Sequence, residues 1–474
     1  MTDKSNLTFS TKLAYGFGAV AFGVKNNGFD YFLLIFYSQV MGVDAPLVGL
    51  ALLIALIIDA FSDPIVGYLS DNTHSRWGRR HPWMYASVIP VTLCYFLLWA
   101  PPEGLTGNEL FPYLLVLTIL IRVSITFFEV PSSALSAELT GDYDERTSLF
   151  SYRYFFGWTG GTLMATVALA AFLTPTETIS NGLLNKEGYE TYGIWAAFVI
   201  LVSILVTSLG THNRIPYFKA PPPKMAMSLK RIFVEIYQTL ADRSFLALFL
   251  AALFGAVAAG LSAGLSFYMS GYFWEFSTDQ ISIIAFSFIF SAFAALFLSP
   301  IISRGIGKKR GAILVGVIAF TMAPAPVVLR LMGLMPENGS PALFPIVLIV
   351  ILIETALVIT LSILTSSMMA DLVEHNEVKN ARRSEGVLFA AATFARKSVQ
   401  GFGVLAASAV LAVVQFPKGV APGQVPDEAV FRLGLYYAPV LFVVWMMMVA
   451  SIGLYRIDRS QHEDNLRTLA EREG

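Results

Sequence analysis

Two aspartates stand four residues apart in an otherwise apolar run, IIDAFSDPIVGYLSD, at Asp59 and Asp63. On a helix that spacing stacks them on one face. Two carboxylates held together away from water repel unless a cation or a proton comes between them. The pair therefore has the chemistry of a coupling site for Na+ or H+, with Asp59 and Asp63 as metal ligands if Na+ is the ion. The competing reading is an ion pair with an arginine or lysine on a neighbouring helix, and the two can coexist.

Other ionisable groups in apolar runs are candidates on the same ground, because a charge at the bilayer centre costs about 2.5–3.5 kcal/mol or more. Glu129 precedes Val130-Pro131, and the proline frees a backbone carbonyl inside its helix. A glutamate there suits substrate hydroxyls or a coupling proton, or else a pair with Arg122 or Arg153. Arg122 is expected to be structural. Arg153 stands among Tyr152, Tyr154, Phe155, Phe156 and Trp158. Its guanidinium could clamp a polar solute while rings such as Trp158 stack on it. The alternative is an interfacial aromatic belt around a snorkelling arginine. Lys25, Asn26, Asn27 and Asp30 crowd six residues of the first apolar run, and Asn26 and Asp30 share a face. Lys397, beside Arg396, could neutralise the carboxylates of the second or fourth run. Glu354 reads equally as a functional acid or a packing pair. The segment after the Asp59–Asp63 run carries Gly67, Asp71, Arg76, Gly78, Arg79 and Arg80. Glycine permits a tight turn, and Asp71 can pair with arginine, so a gating role is expected for these six.

The elements that must position these groups are membrane helices. A spanning helix needs about 20 mostly apolar residues. Such runs recur at 13–40, 46–70, 84–100, 110–139, 149–173, 191–210, 243–272, 279–302, 311–333, 342–370, 387–415 and 430–456. Twelve spans place both termini on one side. Arginine and lysine choose the side: one set of alternate connections holds Arg76, Arg79, Arg80, Arg146, Arg214, Lys219, Lys224, Lys230, Arg231, Arg304, Lys308, Lys309, Arg310, Lys379, Arg382 and Arg383, while the opposite set holds little beyond Lys186 and Lys418. By the positive-inside rule the basic set and both termini are cytoplasmic. The division expected is a six-helix bundle over 1–210, a central cytoplasmic loop over 211–242 with a PPP run and a basic amphipathic segment, a second bundle over 243–456 and a tail over 457–474. A faint repeat supports two halves: Asp63-Pro64-Ile65 followed by RWGRR after the second span, and Ser299-Pro300-Ile301 followed by GKKR after the eighth.

Composition agrees. Of 474 residues 55% are hydrophobic and 14% charged, against about 25% charged in an ordinary soluble domain. Mean hydropathy is +0.64. Net charge is −1, so no pull toward nucleic acid is implied. The single cysteine, Cys94, permits neither an internal disulfide nor a cysteine metal site. The five histidines read as solvated loop residues, and the polar N-terminus reads as lacking a cleaved signal peptide. No nucleotide-binding G-x-x-x-x-G-K-[ST] motif is present, which argues against an ATP-driven pump.

The loop motif resembles that of the major facilitator superfamily. A closer resemblance, to the glycoside–pentoside–hexuronide:cation symporters, the family of the melibiose carrier, rests on KLAYGFGA, the D-A-x-x-D-P-x-x-G run from Asp59 to Gly67, SRWGRRHPW, the V-P-x-x-A-L-x-x-E-L-T run from Val130, the D-x-x-x-R of Asp142 to Arg146, and ADLVEHNE at 370–377. The resemblance implies an all-α membrane protein with the major facilitator fold and twelve transmembrane helices. It implies cation binding at Asp59 and Asp63, sugar contacts at Glu129 and Arg153, and a role for Lys397. It also implies a sugar-binding aspartate in the first helix, where this chain has Gly23; Lys25, Asn26 or Asp30 are its candidate substitutes. The function expected is Na+- or H+-coupled symport of a sugar or glycoside by alternating access, in a multi-pass inner (plasma) membrane protein. It is expected to act as a monomer in the lipid bilayer, with a small-molecule substrate, no cofactor beyond the ion and no enzymatic step. The rivals are symport of an amphiphilic solute such as a lysolipid, drug/H+ antiport, and a membrane sensor, which would need a soluble output domain.

Overall fold

A computed structural model describes residues 7–140, 143–177, 179, 181–218, 243–380 and 402–457, and among them every regular element is helical. The spans are α1 (9–40), α2 (Ala45–Asp71), α3 (His81–Trp99), α4 (Phe111–Leu139), α5 (Tyr143–Val167, extended by a π turn over Ala168–Phe172), α6 (Lys186–His212), α7 (Arg243–Tyr268, extended by a π turn over Met269–Phe273), α8 (Thr278–Ile306), α9 (Lys308–Leu331), α10 (Leu343–Asn380), α11 (Phe402–Val413) and α12 (Asp427–Gly453). Ten of these are long and apolar enough to cross a membrane among the described residues; the other two are α1, which is broken by π turns, and α11, which is described over a shorter stretch. Proline sits in the first turn of α2, α3 and α4, where its missing N–H costs nothing and its fixed φ suits a helix start.

The chain packs as two units. The first comprises 1–225, 263–286 and 407–425; the second comprises 226–262, 287–406 and 426–474. In the first, α2 lies along α4, α1 along α5, and α3 against α4 and α6. In the second, α9 lies against α10 and α12. The partners of α3 and of α9 are thus offset by six helices, as a parallel repeat requires.

Backbone hydrogen bonds make the repeat sharp. At the end of α1, Met41 N donates to Phe36 O at 3.0 Å and Val43 N to Tyr37 O at 2.9 Å. At the end of α7, Trp274 N donates to Met269 O at 2.9 Å and Phe276 N to Ser270 O at 2.9 Å. Both helices close on a π turn, and each turn is followed by one left-handed residue, Gly42 at φ 75° and Glu275 at φ 53°. The next helix starts at Ala45 in one case and Thr278 in the other. Two helix junctions with the same unusual bonds point to one ancestral unit used twice, a stronger sign than the proline and basic motifs of the sequence.

Candidate cation and substrate site

The carboxylate pair forms as its spacing requires. Asp59 is 2% exposed, Asp63 is half-buried, and both reach one hydroxyl on the neighbouring helix. Thr126 Oγ1 of α4 lies 3.0 Å from Asp59 Oδ1, 3.2 Å from Asp63 Oδ1 and 3.0 Å from the carbonyl of Arg122. A threonine hydroxyl has one proton, so it can donate to one of those three oxygens at a time. Ser62 Oγ lies 3.5 Å from the same hydroxyl and donates to Asp59 O at 3.0 Å. Several oxygens therefore gather on a single hydroxyl proton, an all-oxygen arrangement of the kind a hard cation or a proton favours. The donor set fits Na+: two carboxylates and hydroxyls, all oxygen. Neither Thr126 nor Ser62 was expected from sequence; a hydroxyl in an apolar helix was the available signal.

Arg122 lies in the wall of this cluster. Its Nη1 is 3.5 Å from Asp59 Oδ2, and its guanidinium lies 5.0 Å from the ring centre of Phe29 in α1. This is an ion pair between Asp59 and an arginine on a neighbouring helix, the arrangement that the competing reading of the carboxylate pair describes.

Further along α4, Pro131 leaves a turn to which Arg153 of α5 is tied. Arg153 donates to Ser132 Oγ at 3.2 Å, to Ser133 Oγ at 2.7 Å and to the Glu129 carbonyl at 3.4 Å. Its guanidinium lies 4.7 Å from the ring centre of Phe22 and 5.8 Å from that of Tyr15. Glu129, half-buried, therefore shares its turn with the anchored arginine. Trp158 is not gathered with them. It is 57% exposed while Arg153 is 9% exposed, and five residues on a helix rotate a side chain about 140° away.

In α1, Lys25 is 2% exposed, Asn26 is exposed and Asp30 is half-buried within the π turn Gly28–Phe32. A wide π turn often marks a functional position in a helix. Gly23 has a packing reason of its own. A Cβ there would collide with the Gly157 carbonyl oxygen and lie 3.0 Å from Gly161 N. The backbones of α1 and α5 approach too closely at that point for any side chain. Lys397 lies outside the described residues.

The residues expected to gate include an ionic knot centred on the buried Arg80. Arg80 pairs with Asp71, donates to Ser70 Oγ at 2.7 Å, and lies 3.0 Å from Glu138 Oε1. Arg79 Nε donates to the same oxygen at 2.7 Å. Glu138, at the end of α4, has a side chain only 6% exposed and is the partner that residue spacing did not single out. Gly78 supplies the left-handed turn at φ 71°, Gly67 faces Val130, and Arg76 lies over Trp77. The second unit has the equivalent device: Gly307 at φ 82°, then Lys308, whose Nζ lies 2.7 and 2.8 Å from the Asp371 carboxylate of α10. Three histidines depart from the loop expectation: His212 is the last residue of α6, His375 falls within α10, and His81 enters the packed interior. His81 is the first residue of α3, fully buried, and bonded through Nε2 to Thr211 Oγ1 at 2.9 Å; the short connection after Gly78 carries it into the packed junction of α3 and α6.

At the opposite ends of these helices Lys418 pairs with Asp44 and donates to Gly42 O at 3.3 Å, while Asn108 Nδ2 donates to Asp44 Oδ2 at 2.6 Å. The Lys418 and Asn108 hydrogen bonds hold the Asp44 carboxyl below the usual range.

A buried oxygen cluster on α2 and α4 inside a helical repeat is transporter architecture, and the family comparison decides which. The family model for the MFS/sugar transport protein matches residues 14–459. The chain belongs to that family. This is the glycoside–pentoside–hexuronide:cation symporter group of the major facilitator superfamily that the motifs resemble, a family of membrane transporters and not of enzymes. The chain is 34% identical over 232 residues to an uncharacterized symporter of Synechocystis, a match covering 48% of this chain and 40% of that protein. It is 24% identical over 473 residues to the isoprimeverose transporter of Lactiplantibacillus pentosus, covering 96% of this chain and 90% of that one. Among solved structures, that of a D-xylose-proton symporter has the same fold, with a TM-score of 0.62, 17% identity, and coverage of 94% of this chain and 97% of that chain.

Proposed function

We propose that the protein takes up a sugar or glycoside together with a monovalent cation, Na+ or H+, by alternating access. The observation that carries the reading is the meeting of Asp59 and Asp63 on the Thr126 hydroxyl, buried inside the membrane span. A group of carboxylate and hydroxyl oxygens can bind a positive charge reversibly, and reversible binding is what coupling needs. The solute would meet Glu129, Arg153 and the polar groups of α1. The relatives' names, an isoprimeverose transporter and a glycoside/cation symporter, support a sugar-class solute. The basic loops argue for cytoplasmic termini and a plasma-membrane location, and the protein is taken to work as a monomer.

The test is uptake of radiolabelled glycosides into cells overexpressing the protein, with and without an Na+ or H+ gradient. Wild type should show gradient-driven uptake. Asp59→Asn should lose the gradient effect and keep some solute binding. Unchanged cation dependence in Asp59→Asn would show that the pair is not the coupling site. Uptake of a lysolipid with none of any glycoside would sink the sugar reading.

A further inference from the structure

The ends of α1 and α7 hold a buried polar cluster that the coupling site does not use. All of it belongs to the first unit, which takes in 263–286 and 407–425. Gly419 N donates to Gln39 Oε1 at 3.2 Å, and Gln39 Nε2 donates to Tyr268 OH at 3.4 Å. The Tyr268 hydroxyl bonds to Ser38 Oγ, whose own proton goes to the Leu34 carbonyl at 2.7 Å. Each hydroxyl has one proton, so the chain of bonds runs in one direction and ends on backbone at both sides. Ser38, Gln39 and Tyr268 are all buried. Rings wall the cluster. Tyr268 and Tyr272 stack with centroids 5.9 Å apart, and Phe416 stands edge-on to them at 5.4 and 5.1 Å. One group is left out of the chain: Tyr272 is 1% exposed and its hydroxyl has no hydrogen-bond partner. Phenylalanine would fill the same space without burying an unpaired hydroxyl, which costs free energy. The phenol therefore calls for a partner in another arrangement of these helix ends.

We propose that Gln39, Tyr268 and Tyr272 form an entry site for a sugar, shut in this structure, which the solute meets before it reaches Glu129 and Arg153. The inference rests on the sugar-uptake reading and adds a second site to it. The cluster stands at the end of α1 that faces away from the Arg79–Arg80 turn, on the side with few basic residues, which the positive-inside rule makes the outside. Its chemistry selects the solute. When the ends of α1 and α7 part, the bonds through Gln39 and Tyr268 open and expose one amide, two phenol hydroxyls and the Ser38 hydroxyl, all neutral. A sugar has hydroxyls to match these groups and C–H faces to lie on the tyrosine rings. A charged solute has less to gain, because the charges beside the cluster, Lys418 and Asp44, are already paired with each other. Tyr272 then finds in the open arrangement the partner that it lacks in the closed one.

The experiment compares wild type with Tyr272→Phe in right-side-out and inside-out membrane vesicles. The probes are the radiolabelled methyl glycosides of D-xylose, D-glucose and D-galactose. Tyr272→Phe loses no hydrogen bond present here, so its unfolding temperature should not fall. In right-side-out vesicles the concentration for half-maximal transport should rise about fivefold or more, the loss of one neutral hydrogen bond to the solute. In inside-out vesicles it should stay within about twofold of wild type, because entry from that side begins elsewhere. A smaller change on the outer side would overturn the entry site. So would a larger shift on the inner side: a rise there would place Tyr272 in a site shared by both routes, and a fall would show that the phenol sets the balance of open and closed ends without touching solute. Wild type that carries none of the three glycosides from either side would instead overturn the sugar reading on which the proposal rests.

Discussion

At the scale of single residues, the site turns on which atoms share a proton. Thr126 is placed to donate to either aspartate. Thr126→Ala removes that bridge, and the cation concentration for half-maximal uptake should rise roughly tenfold, the equivalent of about 1.4 kcal/mol for one hydrogen bond to a charged group. Thr126→Ser should restore it, since the hydroxyl and not the methyl carries the effect. Arg153 spreads its donors over Ser132, Ser133 and the Glu129 carbonyl. Lysine keeps the charge but loses the planar fork, so Arg153→Lys should weaken solute binding by about tenfold at an unchanged cation requirement, as read by uptake kinetics.

At the scale of elements, helix ends are held by a few buried contacts. Glu138 receives both Arg79 and Arg80 at the α2–α3 turn. Glu138→Gln leaves the buried Arg80 and the part-buried Arg79 with a neutral partner, and breaking such an arrangement costs about 3 kcal/mol. The expected result is a clear fall in the unfolding temperature of the purified protein. The junction after α7 makes the opposite prediction. Glu275 holds a left-handed φ of 53° where its counterpart after α1 is Gly42. A non-glycine residue there costs about 1 kcal/mol or more, part of which glycine returns through the freedom of the unfolded chain. Glu275→Gly should therefore stabilise by about 0.5 kcal/mol, seen as a small upward thermal shift.

At the scale of the whole molecule, connections far apart in the chain converge on Asp44. Asn108 follows the third span and Lys418 follows the eleventh, and both bond to its carboxylate. The carboxyl is held below its ordinary value, so the contribution of the contact is present above the unfolded value, near 3.9, and is lost as pH falls through the lower folded value. Wild type and Asp44→Asn should differ in thermal stability at neutral pH and converge only below about pH 4. The pair is exposed, so the neutral-pH difference should shrink in high salt.

How much of this was legible beforehand divides along a physical line. The apolar runs placed the helices, because spanning a bilayer demands length and hydrophobicity that any short window reveals. The four-residue spacing put Asp59 and Asp63 together, because a helix enforces it whatever surrounds it. Asp71, Gly78 and the arginines beside them announced a turn and a charge cluster for the same local reason. What lay beyond local spacing was the choice of partner. Thr126 bridging the aspartates, Arg122 turned to Asp59, Glu138 taking two arginines and His81 buried against Thr211 each depend on which helix face meets which. The space that Gly157 and Gly161 deny to a side chain at Gly23 is of the same kind. The sequence by itself determined a repeated-helix membrane transporter with a carboxylate pair in its second helix, since periodicity and transfer free energy act along the chain. Only the tertiary structure decided how that pair is neutralised, since burial obliges each charge to find a partner across an interface that no local pattern encodes.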